Sequence, residues 1–382
     1  MNIVHAEKNQ SNNKRLPAGM LERDFDKSPF IIFWETTRAC NLVCSHCRAE
    51  AKPTPAPNEL STKEVQKLIE EISQFETKPI LVLTGGDPLM RDDIFDLIEY
   101  SNSFGIRTAV TPAPTPLMTR ENIEKLKESG ADRIALSLDG STKTRHNKLR
   151  GVSKSFDAIL DAASYAEEVD LPIQINTTIT KETVTDLKAI AELTEQLDAV
   201  LWSLFFLVPV GRGEKLEMIT SEEAERIMEF LYREEQKRPY QVKTTEATHY
   251  RRVVLQNSGT PLSKDPQKRD KIGRSVGVSD GNGIVFVSRT GEIYPSGFLP
   301  LKAGSVLEEG LIKTYKESKL FKELRDKSLL KGKCGVCEYN SICGGSRARA
   351  YSIYGDHLAP DPLCAYYPEE WDEDSWDVYN SN

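Results

Sequence analysis

The chain has 382 residues, 39% hydrophobic, 28% charged and 8% aromatic, with 50 Lys and Arg against 58 Asp and Glu for a net charge of −8. That length buries a large core, enough for one big domain and a smaller one, and the acidic balance excludes a general electrostatic attraction to nucleic acid or anionic lipid. No apolar run approaches the ~20 residues of a membrane span, and the polar start MNIVHAEKNQSNNKRL lacks a signal-peptide core, so a cytoplasmic chain with no membrane or nucleic-acid partner is expected.

Residues 1–28 read as a polar tail. Short β-rich runs then alternate with segments of helical period: IIFWETT (31–37), PILVLTG (79–85), IRTAVTP (106–112), RIALSLD (133–139), PIQINTTI (172–179) and AVLWSLFFLV (199–208). Ser61, Thr119, Ser153 and Ser221 are the expected N-caps, and Gly130 an expected C-cap. Six βα units over residues 29–240 predict an α/β fold, either a doubly wound sheet or a partial (β/α)6 TIM-like barrel. Both put ligands at the C-terminal ends of the strands.

After residue 240 the alternation stops. A loop-rich stretch leads into GIVFVSRTGEIYPSGFLP, which predicts a hairpin turning at Thr290–Gly291. One amphipathic helix, TYKESKLFKELRD, follows, and then a group of cysteines. Residues 241–368 therefore read as a small C-terminal domain built around a metal, and 369–382 as a solvated acidic tail.

The seven cysteines divide into three and four. Cys40, Cys44 and Cys47 form C-x₃-C-x₂-C directly after the first strand, and Cys334, Cys337, Cys343 and Cys364 lie near the C-terminus. In a reducing compartment such spacings point to metal or redox chemistry rather than disulfides. Three thiolates leave one iron of a [4Fe–4S] cube open, whereas structural zinc closes with a fourth ligand, and His46 beside Cys47 is badly placed to be it. Four thiolates saturate either zinc or a [4Fe–4S] cluster, and spacing does not separate the two.

C-x₃-C-x₂-C after the first strand of a partial barrel resembles the signature of the radical S-adenosylmethionine (radical SAM) enzymes. The resemblance implies a cluster whose open iron binds SAM and whose electron cleaves it to a 5′-deoxyadenosyl radical that abstracts a substrate hydrogen. TGGDP (84–88) resembles the family's Gly-Gly-Glu-Pro motif, whose backbone holds the SAM amino group. This implicates Gly85, Gly86, Asp87 and Pro88, with Asp87 in place of the usual Glu. SLDG (137–140) and HNKLRG (146–151) implicate Ser137 and Arg150 as contacts of the SAM carboxylate, with Asp139 of the same run among the cofactor contacts. PVGRG (209–213) lies where relatives set backbone against adenine, which implicates Val208. His46 is expected to pack on adenine, and Asn176 to contact ribose or satisfy backbone.

The C-terminal cysteines resemble those of SPASM/Twitch extensions, which hold auxiliary iron–sulfur clusters. Ser296 stands where relatives often have a cysteine, which favours the Twitch form with one auxiliary [4Fe–4S] cluster. Three plus four cysteines leave no free thiol, which disfavours peptide epimerases. About thirty residues precede the first strand, too few for a fused leader-recognition domain. WETTRACN, TPAPTPL and CGGSRARAYSIYGDHLAPDPLCAYYP resemble the radical SAM enzymes of haem biosynthesis, including iron-coproporphyrin decarboxylases. The implied reaction is hydrogen abstraction from a tetrapyrrole propionate. The alternative is a maturase that crosslinks or oxidises a ribosomally made peptide. A non-catalytic iron–sulfur or zinc protein is a third reading, and GGDP, SLDG and the barrel speak against it. Both catalytic readings imply a low-potential electron donor, flavodoxin or ferredoxin. A propionate pocket wants guanidinium forks and flat apolar walls. Arg347, Arg349, Tyr351 and Tyr354 are the candidates for it, with His249 and His357 as candidate haem-iron ligands.

Overall fold

The six expected strands form β1 (Ile31–Glu35), β2 (Ile80–Thr84), β3 (Thr108–Val110), β4 (Arg133–Ser137), β5 (Ile173–Ile179) and β6 (Leu201–Phe206), parallel and in chain order. The computed structural model describes residues 24–259 and 277–371, so most of both tails and of the loop-rich linker lies outside the described residues. Helices α1 (Thr62–Ser73), α2 (Ile94–Ser103), α3 (Arg120–Glu128), α4 (Lys143–Arg150), α5 (Ser155–Glu168), α6 (Leu187–Gln196) and α7 (Ser221–Lys237) make the connections. The alternation runs one unit past residue 240, through β7 (Gln241–Thr245), parallel to β6, and α8 (Tyr250–Ser258). QVKTT hides this strand because its inward positions are Lys243 and Thr245. KTRHNKLR likewise hides α4, being too polar to show an apolar period.

Among the described residues β7 pairs only with β6, so the barrel is partial. The other edge is extended by the C-terminal region. Strand β8 (Ser279–Asp280) pairs with β9 (Gly283–Val287), β9 lies parallel to β1, and β10 (Glu292–Tyr294) and β11 (Gly304–Ser305) follow antiparallel. The expected hairpin therefore forms, but as part of the barrel's own sheet. The single expected helix after it is two, α9 (Leu311–Glu317) and α10 (Lys319–Arg325), because Ser318 is extended and its Oγ accepts from Phe321 N at 3.3 Å to start the second. Two short helices, α11 (Gly332–Gly335) and α12 (Arg347–Tyr354), are the last among the described residues.

Ser61 and Thr119 cap α1 and α3 as expected, and Gly130 follows α3 at φ +89°. Two caps differ. Thr220 rather than Ser221 caps α7, its Oγ1 accepting from Glu223 N at 3.2 Å while Glu223 accepts from Thr220 N at 2.7 Å. Ser153 caps nothing; Asn147 of α4 reaches across to accept from Phe156 N at 3.0 Å at the start of α5.

Alternation along the strands sorts side chains between two faces. Trp34, Ile134, Leu136, Ile175, Trp202 and Leu204 are buried in the core shared with the helices. Residues of opposite parity, such as Phe33, Ala135, Asn176, Ser203 and Lys243, line the lumen. Among the described residues no helix is long and apolar enough to cross a membrane.

Arg349 locks the C-terminal region to the barrel. Fully buried, it donates through Nη1 to both oxygens of Asp361 at 3.0 and 3.1 Å, through Nη2 to Phe206 O at 3.1 Å and Glu246 O at 2.6 Å, and through Nε to Leu207 O at 3.2 Å. Arg349→Met leaves Asp361 charged and unpaired in the interior. It is expected to lower unfolding free energy by about 3–5 kcal/mol, read as a lower denaturant midpoint. A midpoint equal to wild type would show that the fork does not hold the two parts together.

Candidate active site

After Glu35 the chain leaves β1 as a loop that carries Cys40, Cys44 and Cys47 over the C-terminal mouth of the barrel, where all three line one cavity. The loop is pinned by backbone. Cys40 N donates to Lys52 O at 2.8 Å, Ser45 N to Leu149 O at 2.9 Å, and Arg212 N to Cys47 O at 3.1 Å. Arg212 Nε adds a bond to Cys44 O at 2.9 Å. The TGGDP turn presses against the loop, Gly86 N donating to Thr37 O at 2.8 Å and Asp87 N to Ala39 O at 2.7 Å. A Cβ at Gly86 would stand 2.2 Å from Ala39 O, so only glycine permits this approach.

Electrostatics around the loop centre on a buried pair. Arg150 ends α4 with Nη1 3.7 Å from Cys44 Sγ and forms a short ion pair with Asp139. Asp139 also accepts from Thr178 N at 2.7 Å. Burial works against its charge, but Arg150, then His46 and His146, hold the carboxyl at about 2. Burial, with Arg150 beside it, takes His46 down to about 4, which leaves a neutral ring against the cavity. Burial pushes the Cys40 thiol up to about 12. Three thiols on one loop, free of disulfides, are soft donors of the kind that binds iron, so the chemistry of the donor set fits a metal cluster.

His46, Gly85, Gly86, Ser137, Arg150, Asn176 and Val208 line the same cavity as the three cysteines. Asp87, Pro88 and Asp139 do not. Asp87 is fully buried beneath the turn, accepting from Thr115 Oγ1 at 2.6 Å, Leu89 N at 3.2 Å and Ala113 N at 3.3 Å. It caps the short turn that Pro88 begins, and burial raises its carboxyl. Asp139 lies behind Arg150.

Cys334, Cys337, Cys343 and Cys364 gather around a second, smaller pocket with His249, Arg252 and Tyr339. Gly345 N stands 3.4 Å from Cys343 Sγ, Thr248 Oγ1 3.5 Å from the same sulfur, and Arg347 Nη2 3.9 Å from Cys334 Sγ. Burial raises Cys334, Cys337 and Cys364, Cys337 to about 12, and four thiols around one pocket, amid donors and cations, are the donor chemistry of a second metal group.

The arginines expected to fork propionates are structural. Arg347 is buried and donates to Ala359 O at 2.6 Å and His357 O at 3.0 Å, and Arg349 is the interdomain lock. Neither they nor Tyr351, Tyr354 or His357 line the barrel cavity; His357 sits 3.5 Å from Glu323, and His249 belongs to the second cysteine pocket.

The cavity, about 1820 Å³ of empty space including its open mouth, instead contains residues that sequence reasoning missed. One wall is apolar, with Ile31, Phe33, Val82, Ala109 and Phe286. The other carries Arg133, Gln174 and Lys243 beside the expected Asn176. A charged residue at an inward position of a parallel strand was the available signal.

The radical SAM superfamily model matches residues 34–194. The AdoMet-dependent heme synthase of Oleidesulfovibrio alaskensis is 38% identical over 345 residues, 89% of this chain and 88% of that one. The Fe-coproporphyrin III synthase of Methanosarcina barkeri is 31% identical over 377 residues, 94% of this chain and 93% of its own. In fold, the crystal structure of Streptococcus suis SuiB bound to S-adenosylmethionine matches with a TM-score of 0.71 at 17% identity, covering 89% of this chain and 78% of that one. Sequence and fold thus agree that the chain belongs to the radical SAM superfamily, enzymes that use S-adenosylmethionine with a [4Fe–4S] cluster, and that its relatives include those of haem biosynthesis.

Proposed function

We propose that this radical SAM enzyme abstracts a hydrogen from a propionate side chain of a tetrapyrrole haem precursor, leading to oxidative loss of that carboxylate. The observation that supports it is the cavity below the cysteine loop, apolar on one wall and cationic on the other, in a chain 38% identical to a heme synthase. A macrocycle with carboxylate arms has the same two-sided chemistry. Loss of CO₂ after hydrogen abstraction also needs a one-electron acceptor of the iron–sulfur class.

Cys40, Cys44 and Cys47 would hold the [4Fe–4S] cluster, which with SAM supplies the 5′-deoxyadenosyl radical. Gly85 and Gly86 offer backbone to the SAM amino group, Ser137 and Arg150 meet its carboxylate, and Asn176 reaches ribose. His46 and Val208 face adenine. Asp139 acts indirectly, holding the Arg150 guanidinium in place from behind. Cys334, Cys337, Cys343 and Cys364 would hold one auxiliary [4Fe–4S] cluster, and flavodoxin or ferredoxin would supply electrons.

Anaerobic reconstitution is expected to load about eight irons per chain. With dithionite and SAM the protein should release 5′-deoxyadenosine, and the Cys40, Cys44 and Cys47 triple alanine variant none. Full SAM cleavage by that variant would sink the assignment. Cys334→Ala should load about half the iron and keep some SAM cleavage while losing substrate turnover; turnover equal to wild type would remove the auxiliary cluster from the reaction. Gly86→Ala should prevent iron loading at the first site by forcing the turn off the cysteine loop, with iron content per chain as the readout; full loading would show that the close approach is dispensable.

A further inference from the structure

Two cations stand inside the barrel without an ion-pair partner among the described residues, although the neighbouring Asp132, itself paired with Arg107 at 3.3 Å, acts on Arg133. Arg133 opens β4 and Lys243 lies mid-strand in β7, both at inward parity and both in the cavity lining. Among the described residues Lys243 makes no hydrogen bond or ion pair, and the one side-chain bond of Arg133 is a long 3.4 Å contact from Nη1 to Gln174 Oε1. Burial takes the Lys243 ammonium down to about 8, and the charged groups that add to this, Arg133 and Arg251, are both positive.

Arg150 pairs with Asp139 and Arg48 reaches Glu35 at 3.4 Å. Arg212 is tied by Nε to Cys44 O at the cysteine loop, with its buried Nη2 unpartnered, and so belongs to the mouth rather than to the lumen below it. The single acid in the lining, Glu246, gives no compensation. Its carboxyl accepts from Ser346 Oγ, and burial together with Asp280 raises it well above the ordinary range, which disfavours its charged form. A protein interior tolerates unpaired charge poorly. A ligand that brings carboxylates into the lumen would remove that penalty.

The position of the pair carries the argument further. Arg133 is four residues before Ser137 on the same strand, roughly 13 Å of extended chain, and Ser137 is level with the cysteine loop at the mouth. A carboxylate held by Arg133 is therefore far from the reacting end, while Lys243 stands in the register row of Ser203, Asn176 and Ser137 and is close enough to Arg133 for the two charges to act on each other. The apolar wall from Ile31 to Phe286 offers the flat surface that would bridge the two ends.

We infer that Arg133, at the deep end of the substrate site, and Lys243, within its reach on the polar wall, bind the carboxylates of the tetrapyrrole that are retained, so that the opposite edge of the macrocycle, with the propionates that react, is presented to the mouth. This rests on the tetrapyrrole reading above and adds a substrate orientation to it. It also assigns two positioning residues outside every motif of the sequence.

Retention gives the test. Fe-coproporphyrin III carries the reacting and the retained propionates, whereas haem keeps only the latter. Anaerobic absorbance titrations of the iron-loaded protein compare both ligands in wild type and in Arg133→Met/Lys243→Met. Iron content matching wild type shows that the variant is folded. The expected result is a loss of affinity of about tenfold or more for both ligands. Weakened binding of Fe-coproporphyrin III with haem unchanged would mean that the cations hold the reacting carboxylates, which overturns the inference. Unchanged affinity for both would overturn it as well. Should the double variant fail to load iron, Lys243→Met alone, which keeps the Arg133–Gln174 contact, gives the same comparison. Wild-type protein that binds neither ligand would instead remove the tetrapyrrole reading, and the inference with it.

Discussion

Everything functional in this molecule depends on the period-two alternation of seven parallel strands. Each strand must bury one set of side chains against the helices, and the opposite set then has no place except the lumen. The helix side is filled with Trp34, Ile134, Ile175 and Trp202, an ordinary apolar core. The lumen is free of that demand and can hold Gln174, Asn176, Arg133 and Lys243. A one-residue slip in any strand would exchange the two sets, so the polar cavity and the hydrophobic core specify each other.

The mouth is organised by close backbone contact rather than by side-chain packing. The cysteine loop is held by carbonyls and amides from the chain after β2, from α4 and from the stretch after β6, and glycines are needed where these strands of backbone meet. This explains why Gly86 and Asp87 matter without both facing the cavity. Gly86 lets the turn approach, and Asp87 fastens it from beneath through Thr115 and Ala113. Arg150 and Asp139 follow the same division: one member of the pair faces the cavity and the other fixes its position.

The C-terminal region is structurally continuous with the barrel. Its hairpin pairs β9 with β1, and Phe286 and Ser296 reach the cavity lining. Arg349 then joins the ends of β6 and β7 to Asp361, three residues before Cys364. The second cysteine pocket is thereby anchored to the strands that form the polar wall, so the two cysteine sets are held on one framework.

The sequence by itself determined the βα alternation, the two cysteine sets, and the turns at Gly85–Gly86, Ser137–Gly140 and Pro209–Gly213. These are local: apolar period, spacing along a loop, and residue types that a given backbone needs. Tertiary structure decided which side chains the lumen collects. Arg347 and Arg349 read as candidate substrate forks because they lie close in sequence to the C-terminal cysteines, yet burial against carbonyls and Asp361 makes them structural. Arg133 and Lys243 belong to no motif of the sequence, yet strand parity turns them inward, 110 residues apart in sequence and facing the same space. Nothing in either neighbourhood encodes that meeting, because closure of the sheet into a barrel is a property of all the strands together.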